Sequence, residues 1–297
     1  MSAAEAPGAA GAAEAAEVPA AASSGAAVGT GVQRLERAFA DTGKRAALMP
    51  YVMGGFPTLE DSLRIGQACV RAGADVIELG VPYSDPLADG PVIHAAGTRA
   101  LAAGASLGGV LEVARSLAAS VPVALMCYAN MLFAPGAQAF VQRAVRAGVS
   151  GLIVPDLPQG EAPEVLEICD AQGLALIPLA APTTTAARLR AIGERARGFL
   201  YAVSVLGTTG ERRALGEDLE EIVARAKAST SVPVAIGFGI GTGGQALRAA
   251  EAGADGVIVG TRLVRAAAEA DDPADGVGAV VAELAAALSS TVGRAAS

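Results

Sequence analysis

Three stretches of the chain share one grammar: Arg71-Ala-Gly-Ala-Asp-Val-Ile-Glu-Leu-Gly80, Arg146-Ala-Gly-Val-Ser-Gly-Leu-Ile-Val-Pro-Asp156 and Glu251-Ala-Gly-Ala-Asp-Gly-Val-Ile-Val-Gly260. In each, a helical stretch closes on a glycine that tolerates a left-handed conformation and runs directly into a short apolar strand. Gln172-Gly173 repeats the transition. The strands are continuously apolar rather than alternating, as parallel strands covered on both faces are. Working outward, the pattern yields eight strand candidates, at residues 47–52, 76–79, 123–127, 151–154, 174–179, 199–203, 234–236 and 256–259. Amphipathic stretches at 59–72, 137–147, 186–196 and 219–228 lie between them. Eight βα units predict an α/β fold, a single (β/α)8 TIM barrel over residues 31–297 with a short N-terminal helix. An open doubly wound sheet is the rival, but no GxGxxG turn follows the first strand.

The chain has 297 residues, 52% hydrophobic and 18% charged, against roughly 45–50% and 25% in ordinary globular proteins. That supplies a large core and little polar surface. No uninterrupted apolar run approaches the roughly 18–20 residues that span a bilayer. The net charge is −8, and Glu5, Glu14 and Glu17 fall in the first 30 residues, which hold no Lys or Arg; 27 acids and 22 bases remain. An acidic balance argues against a general nucleic-acid or anionic-membrane surface. Residues 1–30 have no apolar periodicity and lack the cationic start and apolar core of a secretory signal. They are expected to form a disordered tail. Cys69, Cys127 and Cys169 form no CxxC pair and are expected to be buried, reduced thiols of a cytoplasmic protein.

A barrel carries its active site at the C-terminal ends of its strands, which turns the repeat into a search list. The richest stretch follows strand two: Glu78-Leu-Gly-Val-Pro-Tyr-Ser-Asp85-Pro-Leu-Ala-Asp89-Gly-Pro91. Glu78 interrupts an apolar strand near the barrel mouth, and the Pro/Gly-rich loop can bring Asp89 back over it. Burial raises a carboxylate's pKa toward the range useful for proton transfer. A structural acid at Glu78, and Asx turns at Asp85 and Asp89, are the plainer alternatives. Gly237-Phe-Gly239 and Gly260-Thr261 follow strands seven and eight, about one βα unit apart. Such adjacent turns can aim backbone N–H groups at one phosphate, helped by a helix starting near Thr261. Ser204-Val-Leu-Gly-Thr-Thr209-Gly210-Glu-Arg-Arg213 has the makeup either of a mobile lid or of an ordinary surface loop.

What is missing narrows the chemistry. The only lysines, Lys44 and Lys227, precede strands and are expected at the wrong end of the barrel for a Schiff base. One histidine, His94, cannot make a multi-His metal site and reads as a helix-flanking residue. No metal site is expected. Acid–base carbon chemistry on a phosphorylated compound remains.

Residues 78–91 closely resemble the signature of the tryptophan synthase alpha chain family. The similarity extends in order through Pro50-Tyr-Val-Met-Gly-Gly-Phe-Pro57, Met126-Cys-Tyr-Ala-Asn130, Val154-Pro-Asp-Leu-Pro158, Gly207-Thr-Thr-Gly210, Gly237-Phe-Gly-Ile240 and Gly260. The resemblance implies retro-aldol cleavage of indole-3-glycerol phosphate to indole and glyceraldehyde 3-phosphate. It makes Glu78 the acid–base and Asp89 the partner of the indole N–H, with Tyr201 and Thr209 orienting them. It assigns Gly210, Gly237, Gly239, Gly260 and Thr261 to the phosphate, and Tyr51, Met126 and Ile153 to the indole. Thr261 stands where the family usually has Ser, Tyr51 where it commonly has Phe, and Val205-Leu206 where an Arg-Ser pair is often found.

The resemblance also implies a partner, the tryptophan synthase beta chain, in an alpha2beta2 tetramer. That chain would hold pyridoxal phosphate, and no cofactor is expected in this one. The loop around Asp85 and that at 130–135, beginning with Asn130, would form the docking face. Two other readings remain beside it. One is another phosphate-binding barrel, such as a sugar-phosphate epimerase or isomerase. The other is a catalytically silent barrel that only activates a partner.

Overall fold

The computed structural model describes residues 29–158, 160–203, 217–237 and 239–289. Its strands are β1 Ala47–Met53, β2 Ile77–Gly80, β3 Val123–Met126, β4 Gly151–Ile153, β5 Ala175–Ile177, β6 Leu179–Ala180, β7 Leu200–Val203, β8 Val234–Gly237 and β9 Gly256–Val259. The helices are α1 Gly31–Ala40, α2 Leu59–Arg71, α3 Pro91–Ala102, α4 Leu107–Ala118, α5 Ala129–Phe133, α6 Ala137–Arg146, α7 Pro163–Ala171, α8 Ala186–Arg195, α9 Glu217–Lys227, α10 Gly243–Glu251, α11 Thr261–Glu269 and α12 Pro273–Ser289. The sheet runs β5-β4-β3-β2-β1-β9-β8-β7-β6 and every pairing is parallel. This is a TIM barrel.

Nine strands stand where the sequence predicts eight, and Pro178 is the reason. The expected strand at 174–179 is cut there into β5, which pairs with β4, and β6, which pairs with β7. Proline has no N–H to give a ladder, but its carbonyl accepts the Tyr201 N–H at 2.9 Å. One bent stave thus joins the two edges of the sheet.

Inside the barrel, Met49, Val76, Ala124, Ile153, Ala175, Ile177, Phe199, Tyr201, Ala235 and Ile258 form one apolar cluster. Leu35 of α1 belongs to it and is wholly buried. The Arg34 guanidinium donates to the carbonyls of Gly148 at 3.0 Å and Val121 at 3.1 Å, and to that of Ala118. These carbonyls lie just before or at the helix–strand turns that feed β3 and β4, so α1 plugs the N-terminal end of the barrel. Its N-cap is Thr30, whose hydroxyl accepts from the Gln33 N–H at 3.3 Å while the Gln33 side chain accepts from the Thr30 N–H at 3.0 Å. Thr30 therefore belongs to the folded unit and not to the expected tail; residues 1–28 lie outside the described part.

The repeated Gly-Ala-Asp turn has a structural job at the same end. Asp75 accepts from the Leu48 N–H at 2.6 Å and pairs with Lys44 at 2.9 Å. Asp255 accepts from the Val234 N–H at 2.9 Å and pairs with Lys227 at 2.8 Å. Each aspartate ties its own strand to the neighbouring one, and each lysine is held away from the barrel mouth. Outside the barrel, α12 packs across α2, α10 and α11. No single described helix is long and apolar enough to cross a membrane.

If α1 is part of the core, Leu35→Ala lowers the unfolding free energy by about 2–5 kcal/mol, the range for a buried Leu truncation. Urea denaturation of the two proteins checks this, and a loss below about 0.5 kcal/mol, typical of a surface change, would contradict it.

Candidate active site

Glu78 lies in the middle of β2, all four residues of which are buried, and its own exposure is 2%. By register it sits between Tyr51 on β1 and Ala124 on β3. Its Oε2 has no hydrogen-bond partner among the described residues. Asp89 arrives on the loop that follows β2, just before α3 opens with Gly90 as N-cap and Pro91 in its first turn. Proline suits that place because its N–H would be unused there.

Tyr128, next to the start of α5, fixes the loop. Its hydroxyl donates to Asp89 Oδ1 at 3.1 Å and accepts from the Ala88 N–H at 3.1 Å. Its ring stacks on Tyr83 with centroids 5.1 Å apart. In the sequence Tyr128 stands out only as one residue of the Met126–Asn130 stretch. A phenol two residues beyond an apolar strand carries no signal of its own until the loop from the next strand folds over it.

Glu78 and Asp89 open into one cavity of about 310 Å³, with Tyr51, Met126, Tyr201, Ile93 and Ile258 on its wall. The size suits a small molecule. Its other end is made by Gly239, Ile240, Gly241, Gly260, Thr261, Arg262 and Arg265. Gly239 takes φ +80°, a conformation that favours glycine. Helix α11 begins at this end with Gly260 as N-cap and no side-chain cap, whereas α10 is closed by its own Thr242–Gln245 capping box. The uncapped N–H groups of α11 are therefore open to an anion.

The expected site residues divide clearly. Glu78, Asp89, Tyr51, Met126, Tyr201, Gly239, Gly260 and Thr261 share the cavity wall. Gly237 and Ile153 are not on it. Ile153 is fully buried inside the barrel, and Gly237 makes room for Tyr201, whose ring and hydroxyl a Cβ there would strike. Gly80 makes room for the Tyr51 hydroxyl in the same way. Asp85, bonded by the Ser84 hydroxyl, and Asn130 on α5 are exposed, on segments that follow the adjacent strands β2 and β3. His94 is exposed on α3. Thr209 and Gly210, with the expected lid at 204–213, lie outside the described residues. Arg262 and Arg265 escaped the sequence reading, which weighed only lysines as cations.

A family model described as tryptophan synthase alpha chain matches residues 38–292. The chain belongs to that family. The tryptophan synthase alpha chain of Methanosarcina mazei is 49% identical over 229 residues, 77% of this chain and 84% of that one. That of Prochlorococcus marinus is 48% identical over 228 residues, 76% and 83% of the two chains. A Mycobacterium tuberculosis tryptophan synthase structure superposes with a TM-score of 0.80 at 37% identity, covering 87% of this chain and 99% of that one. Tryptophan synthase subunit alpha of Legionella pneumophila gives 0.79 at 37% identity, covering 88% and 99%. As a tryptophan synthase alpha chain this protein is a carbon–carbon lyase of tryptophan biosynthesis. It cleaves indole-3-glycerol phosphate to indole and glyceraldehyde 3-phosphate, and its family implies a beta chain as partner.

The electrostatics of an alpha-chain barrel follow from burial. Desolvation, with a smaller contribution from the Asp89 charge, pushes the Glu78 carboxyl up to about 8, so it is protonated at neutral pH. Burial also raises Asp89, opposed by the Tyr128 hydrogen bond and the His94 charge. The Tyr51 and Tyr201 hydroxyls are pushed far up, first by burial and then by the facing carboxylates, Asp89 and Glu78 for Tyr51 and Glu78 for Tyr201. Both remain neutral phenols.

The Glu78 shift has a sign for stability. Between about pH 4.5 and 8 the folded chain keeps a proton that the unfolded chain has lost. This group therefore erodes stability as pH rises through that window, by at most about 1.4 kcal/mol per pH unit, and adds no further loss above it. Glu78→Gln cannot titrate. Its stability relative to wild type is expected to climb from pH 4.5 to 8 and then level off, measured by urea unfolding across the range. A constant difference at every pH would show that Glu78 titrates normally.

Proposed function

We propose that Glu78 moves both protons of the cleavage and that Asp89 holds the indole nitrogen. The observation that carries this is the buried carboxyl of Glu78, whose Oε2 has no hydrogen-bond partner among the described residues, on the cavity wall beside Asp89. A carboxylic acid that is neutral at pH 7 can protonate indole C3, which turns the ring into an electron sink. Asp89 accepts the indole N–H and stabilises the positive charge that appears there. Glu78, now a carboxylate, takes the proton of the glycerol hydroxyl next to the scissile bond. The carbon–carbon electron pair returns to the ring, releasing indole and an aldehyde, and Glu78 is again protonated. A carboxyl of raised pKa suits both halves of this exchange.

The remaining roles follow the same axis. Tyr51, Met126 and Tyr201 bound the indole end, with Ile153 behind them. Gly239, Gly260 and Thr261 meet the phosphate at the start of α11, with Gly237 supporting that turn. Thr209 and Gly210 complete the site from outside the described residues. The working barrel domain is proposed to run over residues 31–297, with Thr30 capping its first helix.

The chain works without a cofactor of its own, beside a beta chain that holds pyridoxal phosphate, in an alpha2beta2 tetramer. The docking face comprises the Asp85 loop and the segment from Asn130 to residue 135. Leu87, 85% exposed, and Phe133, 44% exposed, support this, since both are large apolar side chains on those two segments. The cytoplasm is the proposed location, in keeping with the free, buried Cys69, Cys127 and Cys169.

Turnover of indole-3-glycerol phosphate by the purified chain, alone and with a beta chain, tests the assignment. Glu78→Gln is expected to lower kcat by roughly 10²–10⁴-fold, the usual worth of a general acid–base. Asp89→Asn is expected to lower it as well, and retention of more than about a tenth of the activity by the Gln variant would remove Glu78 from the mechanism.

Leu87→Asp combined with Phe133→Asp should weaken beta-chain binding roughly tenfold or more, as loss of buried apolar anchors does. Titration of labelled beta chain checks this, and unchanged affinity would move the docking face elsewhere.

A further inference from the structure

Two cations on the cavity wall are left unused by the carboxyl chemistry. Arg262 and Arg265 reach it from the first turns of α11, three residues apart and so on one helix face. Among the described residues neither has an ion-pair partner. Six other arginines of this acidic chain do have partners. Arg45, Arg64, Arg115 and Arg197 hold carboxylates, and Arg34 and Arg225 hold backbone carbonyls.

The placement is locally unfavourable. A cation in the first turn opposes the positive end of the helix dipole, and like charges at i,i+3 repel. Helix α2 follows the favourable rule, with Glu60 and Asp61 in its first turn and Arg71 in its last. Helix α11 reverses it, with no acid in the first turn and no base in the last. An arrangement that local energetics disfavours points to a ligand that offsets it. A Cβ on Gly241 would sit 3.7 Å from the Arg262 Cβ, so the arginine stem leaves α11 beside the Gly239–Gly241 turn that shares the cavity wall.

We infer that Arg262 and Arg265 form the charge selector of this cavity, setting its preference for a dianionic phosphate ester over an uncharged or singly charged ligand. The inference rests on the reading of the α11 end as the phosphate end. Backbone N–H groups there supply only partial charges, while a guanidinium adds a full charge and paired donors matched to phosphate oxygens. A phosphate ester gains its second charge near pH 6, so selection operates at neutral pH. Both arginines are exposed, so salt screens the effect.

The test uses the full chain and two readouts: KM and kcat for indole-3-glycerol phosphate, and inorganic phosphate binding by calorimetry. In the Arg262→Gln, Arg265→Gln double variant, both KM and phosphate Kd are expected to rise roughly tenfold or more at low salt, the size of a lost charge-assisted contact. The loss falls on KM more than on kcat and shrinks as salt is added. The double lysine variant recovers most of the affinity, and the Arg143→Gln, Arg146→Gln double variant, which removes an equal charge from α6 away from the cavity, changes neither readout. Unchanged phosphate affinity in the double Gln variant, or equal damage in the Lys and Gln variants, overturns the inference. Wild-type protein that binds phosphate but fails to cleave the substrate would instead overturn the proposed mechanism, leaving the charge selector to stand or fall on the phosphate titration alone.

Discussion

The carboxyl of Glu78 is buried in a strand that offers it no solvent and leaves one of its oxygens without a hydrogen bond. Such a group costs folding free energy in either state, and far more when charged. The carboxyl responds by holding its proton to about pH 8, which is the property that proton transfer to carbon requires. The groups packed beside it and below it are apolar or neutral. The flanking phenols Tyr51 and Tyr201 are buried and neutral, and the apolar interior of the barrel closes off below. Stability lost here is made up elsewhere, by the α1 plug at the barrel floor and by α12 packed across its neighbours.

Room for the site comes from an exchange of large and small side chains around the ring. Glu78 is opposite Ala124 on one side, and Tyr201 is opposite Ala235. Gly80 and Gly237 lack side chains where the hydroxyls of Tyr51 and Tyr201 lie. A TIM barrel is ordinarily filled by layers of side chains, and here the upper layer is thinned enough to leave a cavity. Pro178 separates the strand segment that pairs with β4 from the one that pairs with β7, so one stretch of chain serves both edges of the sheet.

The cavity is polarised along its length. Two carboxyls occupy one end, and the open start of α11 with two arginines occupies the other. A substrate with an apolar ring at one end and a phosphate at the other has a single favourable orientation in that field. Among the described residues neither arginine pairs with Glu78 or Asp89.

The chain sequence by itself determined the barrel, because the Gly-terminated helix and continuously apolar strand repeat from Arg71 to Gly260 and few folds accommodate that repeat. It also marked Glu78 and Asp89, since an acid inside an apolar strand and a Pro/Gly-rich loop are visible locally. The lysines' exclusion from the mouth was legible too, because each precedes a strand. What needed the tertiary structure were contacts between residues far apart in sequence. Tyr128 holds Asp89 from 39 positions away, and Gly237 serves Tyr201 rather than lining the cavity. Arg262 and Arg265 become functional candidates only once α11 is seen to start on the cavity wall without a cap or an acidic partner. A side chain's chemistry is carried by its identity, but its surroundings are set by which strands the barrel brings side by side, and that is where burial, charge and pKa are decided.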